Sequence, residues 1–330
     1  MHSVWVGLGR LCEELYLTAP FVPPYDLWSG ARRQALQLGR FMNAIKELNI
    51  EKIRELVERL TWYHTIDLGS GLVTPGIFDH RPYLPFFGIP EDLRGMTVLD
   101  IGAAAGFFSF EMERRGGTIM ATDLPSMQDH DFGPVYRASV DMPGDDSYIR
   151  QPFLLAREIL GSKVARREIS VYDMTPESLG TFDLVFCGSV LLHLTDPVRA
   201  LWKIRNVTSG MAIIATVIDP SPSSEPAAAF HGNRRGDVWW IPNRAGFEAM
   251  VQSAGFAGWE WFSEFRLDYR DGRMGHPHGV IRAWNTTDRP PGLPPLPKTR
   301  PRPRMSGGFK WILSRVASGF RRILSGRRLR

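Results

Sequence analysis

Thr97-Val98-Leu99-Asp100-Ile101-Gly102-Ala103-Ala104-Ala105-Gly106-Phe107-Phe108-Ser109-Phe110 is the stretch from which the rest of the chain can be read. Val98, Leu99 and Ile101 form a short apolar, partly β-branched run, the pattern of a strand covered on both faces. Gly102 and Gly106 then allow a tight turn and a close approach of the backbone to a bound molecule. A helix opens at Phe107. In an open α/β sheet this strand-to-helix turn lies at the edge where ligands bind, because the helix presents free N–H groups and the positive end of its dipole to the crevice. A nucleotide-like ligand is the expected occupant.

The chain around this stretch is long enough for one large domain or two modest ones, with 330 residues of which 43% are hydrophobic. Two cysteines, Cys12 and Cys187, cannot build a disulfide framework. No apolar run reaches the roughly 18 residues that span a bilayer. The first residues, with Glu13 and Glu14 soon after Val4-Trp5-Val6, lack the order of a signal peptide. A cytoplasmic location is expected. The net charge of +5 is unevenly placed: the 11 basic residues from Lys298 to Arg330, with no Asp or Glu among them, leave the preceding 297 residues at −6. That asymmetry makes the tail a candidate for an anionic partner.

In chain order, apolar positions recur at helical spacing from about Ala31 to Leu60, as two helices broken near Asn49. The segment from Trp62 to Gly76 carries a Gly69-Ser70-Gly71 turn and is a candidate lid, with Trp62 and Tyr63 as acceptor contacts. After Gly106 a helix runs to Gly116-Gly117, and a second strand, from Thr118 to Thr122, ends at Asp123. An acidic side chain there, 17 residues beyond Gly106, suits a ribose diol. A polar loop reaches about Asp146, followed by a helix from Tyr148 to Leu160 and a third strand from Arg167 to Tyr172. That strand places Asp173 and Met174 at the ligand edge, where a carboxylate and an apolar side chain suit an adenine ring.

Strand four, from Phe182 to Gly188, leads to His193 at a strand-to-helix turn; Asp196 and Pro197 then start a helix as N-cap and first residue. Strand five runs from Met211 to Ile218, and Asn243 caps a helix from Arg244 to Ala254. Trp239 and Trp240 are candidate acceptor contacts. Gly258 to Phe265 and His278 to Trp284 alternate as a closing antiparallel hairpin does. The sum is an α/β sheet with mainly parallel strands.

Asp100-x-Gly102-x-x-x-Gly106 after a strand, Asp123 ending the next, and Val190-Leu191-Leu192-His193 after strand four resemble the class I S-adenosylmethionine (SAM) methyltransferases. Trp62 to Gly76, Leu99 to Phe110, and Trp240-Ile241-Pro242-Asn243 before Ala254-Gly255-Phe256 are similar to the branch of wobble-uridine (mo5U34) tRNA methyltransferases. The resemblance implies a doubly wound, Rossmann-like, seven-stranded sheet and SAM as cofactor. It assigns Asp100, Gly102 and Gly106 to the methionine end, Asp123 to the ribose, and Asp173 and Met174 to the adenine; Ala104 of the same turn and Gly188 at the end of strand four are further cofactor-binding candidates. Ala104 stands where the family has its middle glycine, and Leu192 where it has a tyrosine before the histidine, so plain methyl transfer is the expected carry-over. The rival cofactor, a nicotinamide dinucleotide, prefers G-x-G-x-x-G. Asp100 also suits an ammonium group better than a pyrophosphate.

A hydroxyl acceptor needs a base; His193 is the first candidate and His64 the second, with Asp67 as its orienter. No spacing argues for a metal. The organisation expected is a helical extension over 1–60, the methyltransferase domain over 61–285, a Pro/Arg/Gly-rich linker over 286–308, and a basic amphipathic helix over 309–330. In that helix Phe309, Ile312, Leu313, Val316, Phe320, Ile323 and Leu324 fall on one arc. Its simplest use is to lie on an anionic membrane surface, which favours a small-molecule, glycan or lipid-linked hydroxyl acceptor and a peripheral membrane position. The family prior favours tRNA, and a non-catalytic SAM-binding regulator or scaffold is the alternative outside enzymes.

Overall fold

Val98, Leu99 and Ile101 are buried on both faces of β1 (Thr97–Ile101), as the apolar run predicts. The computed structural model describes residues 50–139, 148–234 and 236–290. Helix α1 (Ile50–Arg59) and the short α2 (Leu84–Phe87) precede β1. The chain then alternates: α3 (Phe107–Arg114), β2 (Thr118–Asp123), α4 (Pro134–Ser139), α5 (Arg150–Ile159), β3 (Ala165–Glu168), α6 (Pro176–Leu179) and β4 (Phe182–Gly188). It continues through α7 (Pro197–Val207), β5 (Thr208–Val217), a hairpin of β6 (Ala228–Phe230) and β7 (Trp240–Pro242), α8 (Arg244–Ser253), β8 (Gly258–Leu267) and β9 (His276–Trp284).

Among the described residues, seven strands form one sheet in the order β3-β2-β1-β4-β5-β9-β8. The first five are parallel and β9 is antiparallel to both its neighbours. The parallel strands are the predicted ones. From β1 the chain winds outward to β2 and β3, then returns to β4 on the other side, so the strand order reverses between β1 and β4. A crevice forms at such a point beyond the carboxyl ends of the strands. The register aligns those ends, with Ile101 opposite both Thr122 and Cys187, and Asp123 opposite Glu168.

Both faces of the sheet are packed. On one, Leu99, Ile101, Val185 and Ile214 meet Leu201 and Ile204 of α7 and Phe247 of α8. On the other, Phe108 of α3 lies 4.5 Å from the Phe186 ring and 4.7 Å from that of Phe87. Cys187 sits unpaired in the first layer, and burial pushes its thiol up to about 12.

Local signals place the helix ends. Asp196 Oδ1 accepts from Arg199 N at 2.9 Å with Pro197 in the first turn, and Asn243 Oδ1 accepts from Gly246 N at 2.7 Å. Third-strand boundaries differ from the expectation. β3 stops at Glu168, and Val171–Asp173 form a 3-10 turn capped by Ser170, so the chain leaves the strand five residues before the predicted site at Asp173.

Contacts within the chain divide it into residues 1–55 and 56–330. The expected helix over 31–49, the loop over 140–147, the linker beyond 290 and the basic helix over 309–330 lie outside the described residues. No described helix is long and apolar enough to cross a membrane.

Candidate functional site

The carboxyl ends of β1, β2 and β4 open on a cavity of about 340 Å³. Gly102 and Ala104 of the first turn line it, with Asp123 from the end of β2, Gly188 from β4, and His193 from the 3-10 turn that follows. Tyr63 and His64 reach it from the segment before the sheet. Seven of the residues singled out in the sequence therefore meet in one space.

The turn is shaped by steric necessity. Gly102 has φ +70°, and a Cβ there would stand 2.4 Å from Val190 Cγ2, so a side chain is excluded twice over. Ala104 also adopts a left-handed conformation, φ +45°, which costs a non-glycine residue about 1 kcal/mol. Its N–H donates to Asp123 Oδ2 at 2.6 Å, while Leu124 N donates to Asp123 Oδ1 at 2.8 Å. These two bonds hold the carboxylate at the cavity wall with lone pairs to spare, since a carboxylate has about four acceptor sites.

Asp100 is placed differently. Its side chain is buried behind the turn, accepts from Ser109 Oγ at 2.5 Å and does not line the cavity. Burial pushes its carboxyl up to about 7, with the Ser109 hydroxyl pulling the other way and the nearby Asp123 charge adding to the rise. Gly106 precedes α3 with φ +93°, and a Cβ there would stand 2.6 Å from the Phe110 ring and 2.8 Å from that of Phe153.

Several expected contacts are not brought to the cavity. Asp173 is solvent-exposed and Met174 is fully buried in the core beneath α7, because β3 ends early and the 3-10 turn rotates both away. Ile169, Val171 and Tyr172 line that side instead. Trp62 is buried and donates its Nε1 to Val57 O at 2.8 Å, a packing role. Asp67 is exposed and closes the Gly69 turn by accepting from Gly69 N at 2.9 Å; no hydrogen bond joins it to His64 among the described residues. Trp239 donates Nε1 to Asp131 O at 2.6 Å, and Trp240 donates Nε1 to Thr195 O at 3.1 Å. Both brace the outer flank of the site and neither lines the cavity.

The histidines differ in chemistry. His193 Nδ1 lies 2.8 Å from Asp237 O and 3.2 Å from Asp237 Oδ2. A carbonyl oxygen only accepts, so Nδ1 carries the proton and Nε2 keeps its lone pair. Nε2 of His193 makes none of these contacts. His64 is buried, and burial pushes its imidazole down to about 3, too low for an effective base near neutrality. His64 packs edge-on to the His80 ring, whose centroid is 5.0 Å away, and both lack a partner for Nδ1 among the described residues.

These buried rings bear on acid stability. Burial lowers His278 to about 4 and His80 well below 6.5. A histidine neutral in the fold but titrating near 6.5 when unfolded stabilises the fold fully above 6.5 and loses that stability as pH falls, at about 1.4 kcal/mol per unit. Asp100, raised in the fold, acts oppositely over the same range. Burial lowers His130, His231 and His276 as well, so with these histidines against one carboxylate, lowering pH from 7 to 5 is expected to reduce stability by at least roughly 3 kcal/mol. Urea midpoints at the two pH values measure it, and equal midpoints would contradict the buried neutral assignment.

Among the lining residues that escaped the sequence are four polar ones from its irregular segments: His130, Asp131, Tyr148 and Asp237. Asp131 Oδ2 accepts from Thr195 N at 2.7 Å and from Tyr172 Oη at 2.9 Å, tying the loop after β2 to the start of α7. No periodicity marks any of the four, and Asp237 is 44 residues from the histidine that it orients. Among the described residues no group of three His, Cys, Asp or Glu side chains could hold a metal ion.

No family model matches the chain. Among curated proteins it is similar to tRNA U34 carboxymethyltransferases: 24% identical over 171 residues to that of Enterobacter sp. (strain 638), covering 50% of this chain and 46% of the relative. The enzyme of Desulforapulum autotrophicum is 27% identical over 177 residues, covering 52% and 48%. The chain thus matches about half the length of these relatives. Among solved structures, the N-terminal domain of EvdMO1 in the presence of SAH and D-fucose superposes with a TM-score of 0.52 at 17% identity, over 72% of this chain and 98% of that one. The fold is that of the class I methyltransferases, and in sequence the chain resembles the tRNA U34 branch.

Proposed function

We propose that this chain is a SAM-dependent methyltransferase that methylates a hydroxyl group presented to His193. One observation carries the reading: a histidine whose tautomer leaves Nε2 as an acceptor opens on the same cavity as the Gly102–Ala104 turn and the Asp123 carboxylate. The cavity volume lies within the ~300–1,000 Å³ of small-molecule sites. Its donor set fits the cofactor: a turn without side chains, a carboxylate for a diol, and an apolar side formed by Ile169 and Val171. SAH in the EvdMO1 structure and the methyltransferase names of the curated relatives lend support.

When bound, SAM supplies a methyl group already activated on a sulfonium. Gly102, Ala104 and Asp123 would hold it, with Gly188 at the same edge. The protein's task is then alignment and proton removal. His193 accepts the acceptor's hydroxyl proton on Nε2, and Asp237, through carbonyl and carboxylate, steadies the imidazolium that results. Tyr63 and His64, from the segment before the sheet, also line the cavity, which supports reading that segment as a lid. The test is incubation of the full chain with labelled SAM and separate RNA, lipid and metabolite fractions. Label in a metabolite, glycan or lipid hydroxyl supports the reading, and label in none of the fractions counts against it.

A second reading, transfer to a wobble uridine of tRNA, is favoured by the names of the curated relatives; label confined to the tRNA fraction would establish it. Low cysteine usage supports a cytoplasmic setting. The pattern over 309–330 supports contact with an anionic membrane surface, on sequence alone. The full chain is expected to co-sediment with phosphatidylserine vesicles at least fivefold more than a chain ending at Asp288, an effect weakened by salt. Equal sedimentation of the two would remove the membrane from the account.

A further inference from the structure

His130 lines the same cavity as His193, and nothing in the scheme above employs it. It sits in the loop after β2, where its neighbours hold it firmly. Asp131 is bonded to Thr195 and Tyr172, and Arg137 Nη2 donates to His130 O at 2.9 Å. The imidazole stacks on Phe132 with ring centroids 5.2 Å apart. Its Nε2 is buried and has no hydrogen-bond partner among the described residues. Buried polar atoms in native folds are nearly always paired, and one left unpaired in a residue that lines a cavity is explained by a ligand that completes it. His193 and Asp237 are both close enough to influence its charge, so the two imidazoles share one electrostatic environment. Burial keeps the ring neutral at physiological pH, able to donate from one nitrogen and accept at the other.

The charges around the pair narrow what can enter. Asp123, Asp129, Asp131 and Asp237 line the cavity, and Arg137 is its one cation among the described residues. That guanidinium is spent on backbone: Nη1 donates to Gln128 O at 2.5 Å and Nη2 to His130 O. A phosphate or carboxylate brought to His193 would meet four carboxylates against one guanidinium, a lining of net negative charge. Hydroxyl groups suit the same surroundings, because carboxylates and neutral imidazoles accept from them. Outside the cavity, the Phe230 ring is 58% exposed and lies 4.7 Å from that of Trp240, whose indole N–H is fastened to Thr195 O. The two rings form an apolar ledge on the flank where the loop bearing His193 emerges.

Resting on the methyltransferase reading above, we propose that His130 is a second acceptor-binding residue, that it holds the hydroxyl neighbouring the one deprotonated by His193, and that the acceptor is an uncharged polyhydroxylated molecule of saccharide class. His130 makes a hydrogen bond and no covalent bond. Its loss is therefore felt in acceptor affinity, whereas loss of His193 is felt in turnover.

The test uses the full chain, labelled SAM and a panel of methyl glycosides: neutral hexoses and 6-deoxyhexoses, hexuronic acids, hexose phosphates, and for the best neutral sugar its monodeoxy analogues; unmodified tRNA is run beside them. The neutral sugars are expected to be methylated at least tenfold faster than the charged ones. His130→Ala raises KM for the best sugar tenfold or more with kcat within threefold of the unaltered chain, and His130→Asn recovers part of the loss. For the analogue lacking the neighbouring hydroxyl, His130→Ala and the unaltered chain have the same KM. SAH titration and the thermal midpoint, unchanged in both variants, show that they fold. An unaltered KM in His130→Ala, transfer confined to charged sugars or to tRNA, or SAH binding with no transfer to any neutral sugar overturns this inference. Failure of the unaltered chain to bind SAH overturns instead the reading on which it rests.

Discussion

Replacing His193 by alanine is expected to slow methyl transfer by roughly 100-fold or more while SAH affinity stays near that of the unaltered chain. The expectation follows from a proton count. Asp237 O can only accept, so the hydrogen bond at 2.8 Å places the proton on Nδ1 and leaves Nε2 free to take one. An acceptor hydroxyl is a weak nucleophile until such a base removes its proton. His64 cannot substitute, since burial lowers it to about 3 and its basicity falls with its pKa. The unaltered chain and the His193→Ala variant thus set the two limits of turnover. Asp237→Asn keeps the backbone carbonyl and gives up the 3.2 Å carboxylate contact, so it should fall between the two. Turnover unaltered in His193→Ala removes the residue from the mechanism.

Replacing Asp123 by alanine is expected to weaken SAH binding by roughly 10- to 100-fold, the range implied by about 1.5–3 kcal/mol for hydrogen bonds to a charged group. Two losses combine in this variant. On the proposed reading the ribose diol loses its acceptor, and Ala104 N–H loses the partner that steadies a left-handed turn, φ +45°. Asp123→Asn separates them, because an amide oxygen can still accept from Ala104 N–H while the charge is gone. An intermediate affinity for the asparagine variant is the expected result. Equal affinity in all three chains would show that the cofactor's ribose lies elsewhere.

The architecture was legible in the sequence wherever one residue type answers one local demand. β4 has the expected bounds, β1 forms over the apolar run, and the caps at Asp196 and Asn243 sit where short polar side chains precede helical patterns. Asp123 followed from the alternation of strand and helix, since a strand that must pair with β1 ends level with it. Legibility failed where small displacements decide the outcome. β3 ends at Glu168, four residues before the expected Tyr172, and that shift sends Asp173 to solvent and Met174 to the core. Trp62 and Asp67 were drawn toward the site by type, yet one satisfies a buried N–H and the other closes a turn.

The acceptor side was the least legible part. His130 and Asp237 come from loops without hydrophobic period, 63 and 44 residues from His193, and only the folded sheet brings them to one cavity. Asp100 was singled out by its place in the motif, but burial and Ser109 hold it behind the turn that it precedes. The motif therefore marks the turn more reliably than it marks which of its side chains faces the ligand.

Calorimetric titration of SAH into the full chain and into the Asp123→Ala and His193→Ala variants tests the central claim most directly. The expected result is one saturable site per chain, strongly weakened in Asp123→Ala and retained in His193→Ala. No saturable binding by the unaltered chain, or binding indifferent to Asp123, would contradict the account.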